Sequence, residues 1–534
     1  MTLSVSFLGG VGEIGSNCYI YETETSAIVV DAGLKFFQYD HLGIDYTIPD
    51  FSYMERIRNK LKAVVVTHGH EDHTGALTYL FKRFDLPLYA GNYATRLIKH
   101  KVAESRYRPK SFNIFKDRDS MEFGDIKIEC IQVTHSIPDA FFILLTHDGE
   151  QYLHCGDFRI ENKPLIGKAF PKNRLSNLRD SIKCLFIDTT NIFDTSNRKE
   201  ELTLYNDIEN LMKNSEGRVF TTTFSTNISR IKLIIDSCIK SGRKVVIEGN
   251  SLKKNINIAR DLGYLQFPKD LIVQLDHTDR YEDRELCFLV TGCQGEPNSS
   301  LSKIASMERT KLKVKYGDLF IFSSKTIPGN EKNVNKVKND IYLNYGTFKD
   351  GIHISGHACQ KDILWLINKL MPKYVIPVHG EVFNQRLLEQ LVKPYEFTES
   401  IFVTNGNKIS FNRDGYTLKH VDTGIRYVDQ RNNIEYNDEQ FREKKYLARD
   451  GIIIIHIIKN EIKIETFGLK NTTEIDIKLK RYIREQFELI KNSGEDRTIF
   501  ADAISSTVRR FYKKNCDMKP IVKTYVMEEL NGIF

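Results

Sequence analysis

Residues 67–74 read THGHEDHT, and this spacing of side chains points to metal chemistry. His68, His70, Asp72 and His73 place four potential ligands within six positions, all of types a borderline-soft divalent cation accepts. A lone loop histidine is more often solvated or a satisfied hydrogen-bond partner. Three imidazoles and a carboxylate in one turn beside an apolar strand are different, because burying them without a cation is unfavourable. Further candidates end other apolar runs: His135 in VTHSIPDA, Asp157 in HCGDF and His379 in IPVHGE. Together the seven could hold two ions.

These ligands need strands to carry them. Residues 3–8, 18–21 and 27–30 read as strands separated by glycine turns. Gly10, Gly12 and Gly15 satisfy GxGxxG, but a dinucleotide site needs a helix after the glycines, and residues 17–21 read as another strand. A hairpin is expected instead. Strands then alternate with helical stretches to about residue 190, an α/β pattern. Between Asp188 and His379 lie 190 residues, in which 218–223 and 244–248 read as parallel-sheet strands around a helical 228–240. A second α/β domain inserted into the first is expected. An amphipathic helix at 363–370 and a strand ending at His379 return the chain to the first domain. The polar run 431–446 reads as a linker. Strands at 451–458, 461–467 and 520–527, with helices at 475–491 and 502–514, read as a small α/β domain. The expected division is 1–201 and 346–430 for the split first domain, 202–345 for the insert, 431–446 for the linker and 447–534 for the C-terminal domain.

Composition narrows the class. A chain of 534 residues is long enough for about three domains, and 41% hydrophobic with 28% charged residues is globular. The longest apolar run, 451–458, is interrupted by His456 and is far short of a membrane span. The N-terminal stretch lacks the basic start and apolar core of a secretory signal. Nine scattered cysteines form no CxxC pair, which favours a reducing cytoplasm over a disulfide framework. Residues 441–534 hold 19 Lys/Arg against 14 Asp/Glu, and the preceding 440 hold 58 against 56. Most of the excess positive charge is therefore C-terminal; a modest excess by itself marks a solvated face rather than a nucleic-acid partner.

The pattern HxHxDH, followed by a distant His, a distant GD and a later His, resembles the metallo-β-lactamase superfamily. LGGVGEIGSN (8–17), VVDAGL (29–34), THGHEDHTGAL (67–77), HSIPDA (135–140), CGDF (155–158), TGCQGEP (291–297), IPGNE (327–331), HISGHA (353–358) and PVHGE (377–381) follow in order and resemble ribonuclease J of the β-CASP branch. The resemblance implies an αββα sandwich with an inserted β-CASP domain and a small C-terminal α/β domain that promotes dimerisation. It implies His68, His70 and His135 on one ion, Asp72, His73 and His379 on the second, and Asp157 bridging both. A bridging carboxylate requires ions roughly 3.5–4 Å apart, a spacing that activates a shared water. The ions would be zinc foremost, with manganese or magnesium as alternatives. Asp31 would orient ligand imidazoles, though a turn carboxylate could equally stand there. His357 would give a proton to the leaving oxygen, with Asp188 supporting it.

Phosphate would be gripped by His353, Ile354, Ser355, Gly356 and His357, together with Ser225, Thr226, Asn227 and Ile228 at a strand-to-helix junction. The latter residue types also serve as a plain helix cap. Ser225 and Thr226 replace Ala-Ser of the family's FASN wording, which bears on 5′-end selectivity. The implied activity is 5′-to-3′ exonuclease action on 5′-monophosphorylated single-stranded RNA, with endonuclease action, in messenger decay and ribosomal or stable RNA maturation. Expected partners are a second or fourth copy of the chain, a paralogous subunit, the ribosome or an RNA helicase, with no membrane. The alternatives are a DNA-processing β-CASP nuclease, a thioesterase or lactonase of the same superfamily, and a non-catalytic partner subunit. The small-molecule enzymes lack the long insert, and intact ligand positions argue against the non-catalytic subunit.

Overall fold

The computed structural model describes residues 3–37, 42–196, 200–309, 311–327, 329–413, 415–458, 461–469, 477–485 and 497–527. The chain divides into two compact units, one of residues 1–38 and 48–424, the other of 39–47 and 425–534.

The first unit is built on two large sheets. One runs Tyr416–His420, Asn407–Phe411, Leu3–Gly9, Cys18–Glu22, Ala27–Val30, Leu61–Val65, Leu88–Ala90 and Phe112–Ile114. Leu3–Gly9 pairs antiparallel with Cys18–Glu22, so the glycine-rich turn closes a hairpin. The other runs Glu399–Ser400, Tyr374–Val378, Ile182–Asp188, Glu150–His154, Ala140–His147, Ile126–Val133 and Ser120–Phe123. The sheets pack face to face: Phe7 and Tyr21 of the first meet Phe186 of the second, ring centroids 6.3 and 5.5 Å away. Helix Gln360–Leu370 covers the far face of the second sheet with Ile363, Leu366 and Leu370. Helix Asn92–Ala103 lies on the first sheet at its Leu88–Ala90 and Phe112–Ile114 edge. Each fully buried Leu, Ile or Phe contributes about 1.5–3 kcal/mol, so this doubly apolar interior dominates the unit's stability.

The insert is a five-stranded, all-parallel sheet ordered Lys244–Glu248, Leu286–Val290, Val219–Thr222, Leu319–Phe322 and Thr347–Lys349. Its central strands are buried on both faces, Leu286–Val290 apolar throughout and Val219–Thr222 ending in two buried threonines. Helix Ile228–Lys240 lies on one face and helix Glu331–Leu343 on the other.

The second unit corrects one expectation. The polar run 431–446 is not an unstructured linker. It carries strand Ile434–Tyr436 and the larger part of helix Asp438–Asp450. Asn437 accepts from the Gln440 backbone N–H, the Gln440 side chain accepts from the Asn437 N–H, and this reciprocal cap starts the helix despite its polar composition. Strands Glu461–Phe467, Ile452–Ile458 and Ile521–Met527 then form a sheet, with helix Arg497–Cys516 on one face through Ile504 and Val508. The expected helix at 475–491 is helical over 477–485 and otherwise lies outside the described residues.

Candidate metal centre

Five strand ends of the sandwich supply the site. His68, His70, Asp72 and His73 follow Leu61–Val65, His135 follows Ile126–Val133, and Asp157 follows Glu150–His154. Asp188 closes Ile182–Asp188, and His379 follows Tyr374–Val378. Open α/β architectures characteristically place ligands beyond the carboxyl ends of strands.

Around Asp157 the ligand atoms gather in groups. His68 Nε2 and His135 Nε2 lie 3.0 and 3.1 Å from His70 Nδ1, and 3.5 and 3.7 Å from Asp157 Oδ2. His73 Nε2 and His379 Nδ1 lie 3.3 and 3.2 Å from Asp157 Oδ1, while His379 Nε2 stands 3.0 Å from Asp72 Oδ2. Within each group the candidate ligand atoms are all within 4.8 Å of one another. Tetrahedral ligands roughly 2.0–2.1 Å from a zinc ion stand roughly 3.3 Å apart, so these separations fit. Asp157 Oδ1 is buried and accepts no hydrogen bond from the described residues, although two ring nitrogens lie beside it. A buried carboxylate oxygen left this way calls for a further partner, and this donor set suits a divalent cation.

Electrostatics divide the imidazoles. Burial holds His68 and His135 well below the usual range and brings His70 to about 4, leaving these rings neutral with lone pairs to offer. Burial also opposes charge on His73, but Asp157, Asp31 and Asp72 override it and lift the ring to about 10. Burial is likewise outweighed at His379, which the neighbouring carboxylates of Asp157, Asp188 and Asp72 raise well above the usual range. Burial would raise Asp157, yet His379 and His73 hold it well below the carboxylate range.

The remaining predicted residues surround this cage. Asp31, in the left-handed region at φ 62°, accepts from Thr67 N and Thr67 Oγ1 at 2.8 Å each and pairs with His73 Nδ1 at 2.7 Å. It thus fixes the ring whose Nε2 faces Asp157. Asp188 Oδ2 is 2.9 Å from His357 Nδ1. Burial would raise Asp188, but His357 brings it to about 2, and Asp188 in turn raises His357 against burial. Gly356 accepts from His135 Nδ1 at 2.7 Å, and a Cβ there would stand 2.8 Å from the His135 ring. The loop 353–357 therefore leans directly on a candidate ligand. Ser355 Oγ accepts from His357 N at 3.2 Å, and Ile354 packs against the insert's core. His353 Nδ1 is buried without a hydrogen bond among the described residues, and burial lowers this ring to about 4.

At the strand-to-helix junction the helix-cap alternative is realised for Asn227, which accepts from Arg230 N at 3.0 Å and begins helix Ile228–Lys240. Ile228 is buried in the core. The Ser225 carbonyl and hydroxyl both accept from Asn255 Nδ2, while Thr226 stays half-buried.

Several contributors are not singled out by the sequence, although Asn17 ends the string LGGVGEIGSN. Thr190 Oγ1 donates to Asp188 Oδ1 and lies 2.8 Å from His379 Nδ1, joining the two. Asn17 Nδ2 lies 3.1 Å from His73 Nε2. Two residues beyond Asp157, Arg159 begins a buried bridge. Arg159 donates to Glu161 at 2.7 Å and to Glu201 at 3.0 Å, Glu201 accepts from Arg230 Nε at 2.6 Å, and Arg230 Nη1 donates to the Ile352 carbonyl at 3.0 Å. The loop of Asp157, helix Ile228–Lys240 of the insert and the approach to His353 are thereby tied together.

Family models match along the chain: the metallo-beta-lactamase superfamily over residues 11–189, the beta-CASP domain of ribonuclease J over 216–341, and the Zn-dependent metallo-hydrolase RNA specificity domain over 347–401. A ribonuclease J of Thermus thermophilus is 31% identical over 545 aligned positions, covering 98% of this chain and 94% of its own. The chain belongs to the ribonuclease J family. Another ribonuclease J, from Helicobacter pylori, is 34% identical over 477 positions, 86% of this chain and 68% of that one. Ribonuclease J 1 of Streptococcus pyogenes is 30% identical, with 98% and 97% covered. A crystal structure of a protein of unknown function from Enterococcus faecalis V583 shares the fold, with a TM-score of 0.56 and 16% identity over 77% of this chain and all of that one. Within the ribonuclease J family, the metallo-β-lactamase fold implies divalent metal binding, and the His/Asp clusters are compatible with it.

Proposed function

We propose that this chain is a metal-dependent ribonuclease that hydrolyses RNA phosphodiester bonds and leaves 5′-phosphate products. The observation that carries the reading is the convergence of six ligand side chains on one shared carboxylate, Asp157. Two divalent ions per chain, zinc foremost with manganese or magnesium as alternatives, would be held by His68, His70 and His135, by Asp72, His73 and His379, and by Asp157 between them. Bound there, such ions polarise a phosphoryl oxygen and lower the pKa of a water. The chain's own residues orient and move protons. Asp31 fixes the His73 ring through a 2.7 Å contact. The Asp188 carboxylate engages His357 Nδ1 at 2.9 Å, leaving Nε2 to deliver a proton to the leaving oxygen. Loop 353–357, coupled to His135 through Gly356, and residues 225–228 border the substrate phosphate.

The activity proposed is 5′-to-3′ exonuclease action on 5′-monophosphorylated single-stranded RNA with accompanying endonuclease cleavage, in messenger decay and ribosomal or stable RNA maturation. The proposed setting is cytoplasmic, as a homodimer or homotetramer, with a paralogous subunit, ribosome or RNA helicase as partners. Among the described residues no helix is long and apolar enough to cross a membrane. The proposed domain division is 1–201 with 346–430, 202–345, and 447–534, the last promoting dimerisation. One RNA carrying either a 5′-monophosphate or a 5′-triphosphate, incubated with and without chelator and read from both ends, tests this reading. Mononucleotides from the monophosphate form alone, abolished by chelator, are expected. Hydrolysis of a thioester or of DNA with RNA untouched would overturn it.

A further inference from the structure

The second unit holds a cleft that the cleavage chemistry does not use. It encloses about 480 Å³ and draws its walls from three elements of that unit. Helix Arg497–Cys516 lends Arg509, Arg510 and Lys513. Lys519 and Lys523 flank the start of strand Ile521–Met527. Helix Asp438–Asp450 adds Tyr446 and Glu443. The lining thus carries five cations and one carboxylate. Lys513 pairs with Asp517, but among the described residues no carboxylate lies within salt-bridge distance of Arg509, Lys519 or Lys523. Asp450 and Asp517 offset part of the charge of Lys519, yet the lining keeps an excess of cations whose mutual repulsion an entering anion relieves.

We propose that this cleft binds the phosphodiester backbone of single-stranded RNA, a second anchoring site separate from the metal centre. The proposal rests on the ribonuclease reading for the identity of the polyanion. Cations supplied from two helices and a strand can follow a chain of phosphates through an open cleft. Tyr446 is 39% exposed at its wall; the Arg449 guanidinium lies over its ring, 5.5 Å from the centroid, and the other face is available for stacking a base. A membrane surface needs a broad flat basic face with apolar residues to insert, and an acidic protein segment needs no aromatic platform, so nucleic acid is the occupant favoured here. The concentration of the chain's excess positive charge in residues 441–534 accords with this placement.

The test uses the full chain with Arg509→Ala, Lys519→Ala and Lys523→Ala combined, beside the charge-preserving Arg509→Lys, Lys519→Arg and Lys523→Arg. Binding of a fluorescent single-stranded RNA of about 30 nucleotides is measured in chelator, so that no cleavage intervenes, over a series of salt concentrations. The alanine variant is expected to bind at least tenfold more weakly. Its plot of log affinity against log salt should flatten by about 2, since each phosphate contact on a single strand contributes roughly 0.7. The charge-preserving variant should bind as wild type does. With metal restored, hydrolysis of a pentanucleotide should be unchanged in the alanine variant, which also shows that it folds. A photo-reactive RNA should crosslink to the peptide holding Tyr446. Unchanged affinity and salt slope in the alanine variant would overturn the proposal, as would weakened binding to phosphatidylglycerol vesicles or polyglutamate with RNA binding intact. Failure of the wild type to hydrolyse any RNA with metal would instead count against the ribonuclease reading.

Discussion

The metal centre and the Arg159–Glu201–Arg230 bridge are both buried clusters of charge in the same unit, and they are balanced in opposite ways. In the bridge every carboxylate oxygen meets a donor. Glu201 Oε1 accepts from Arg230 and Oε2 from Arg159, while Glu161 Oε2 accepts from Arg159 and Oε1 from the Glu201 backbone N–H. What remains over are two donors, Arg159 Nε and Arg230 Nη2. In the metal centre the acceptors remain over: Asp157 Oδ1 is unpartnered among the described residues, and imidazole nitrogens face one another at 3.0–3.1 Å. A cluster that serves structure completes its carboxylates from within, and a cluster built for a cation leaves lone pairs converging. Burial and charge alone would not separate the two; the direction of the unmet hydrogen bonds does.

The sharpest way to break this distinction is His357. Its Nδ1 touches Asp188 and also lies 3.7 Å from Asp157, so it could belong to the cage or stand beside it. As a proton donor it predicts that His357→Ala lowers kcat by about 10²–10⁴-fold with metal content unchanged, read by steady-state kinetics and elemental analysis of the same preparation. Loss of an ion with the ring would place it in the cage. For the bridge, Glu201→Gln removes a charge from between two buried guanidiniums and should cost about 3–5 kcal/mol in chemical denaturation. A shift under 1 kcal/mol would mean that the bridge does not balance charge. This carboxyl also sets a pH window. Burial would raise it, but Arg230 and Arg159 bring it to about 2, below its ordinary 4.5. Its contribution is complete above about pH 4.5 and is lost as pH falls toward 2, so the Glu201→Gln variant should lose less stability than wild type across that interval.

Smaller effects refine the contrast. Asp31→Asn keeps the shape but withdraws the charge behind His73, and metal affinity should fall about 10–100-fold by competition with a chromophoric chelator. Asn227→Ala removes a helix cap and should cost about 1 kcal/mol in thermal melts, leaving metal affinity untouched. A change in metal affinity there would show that the cap and the cage are coupled.

The cage was largely legible in the sequence because its ligands crowd one loop or follow apolar strand runs, as His135, Asp157 and His379 do. The hairpin after the first strand was legible too, since residues 17–21 read as another strand where a dinucleotide fold needs a helix. Thr190, Asn17 and the Gly356 carbonyl were not, because each acts through a common group whose partner is set only by tertiary approach. Arg230 and Glu201 were hidden for a different reason: charged side chains usually lie at the surface, and nothing local shows that these two are buried against one another. The run 431–446 misled through composition, although the Asn437–Gln440 pair carries a helix-start signal inside it.

The most direct test counts ions. Metal-free protein titrated with zinc and with manganese, followed by calorimetry and elemental analysis, should take up two ions per chain, and Asp157→Ala, deprived of the shared carboxylate, should retain neither tightly and lose hydrolysis by at least about 10³-fold. Wild-type protein that binds no ion, or an Asp157→Ala variant that keeps both ions and full activity, would contradict the account.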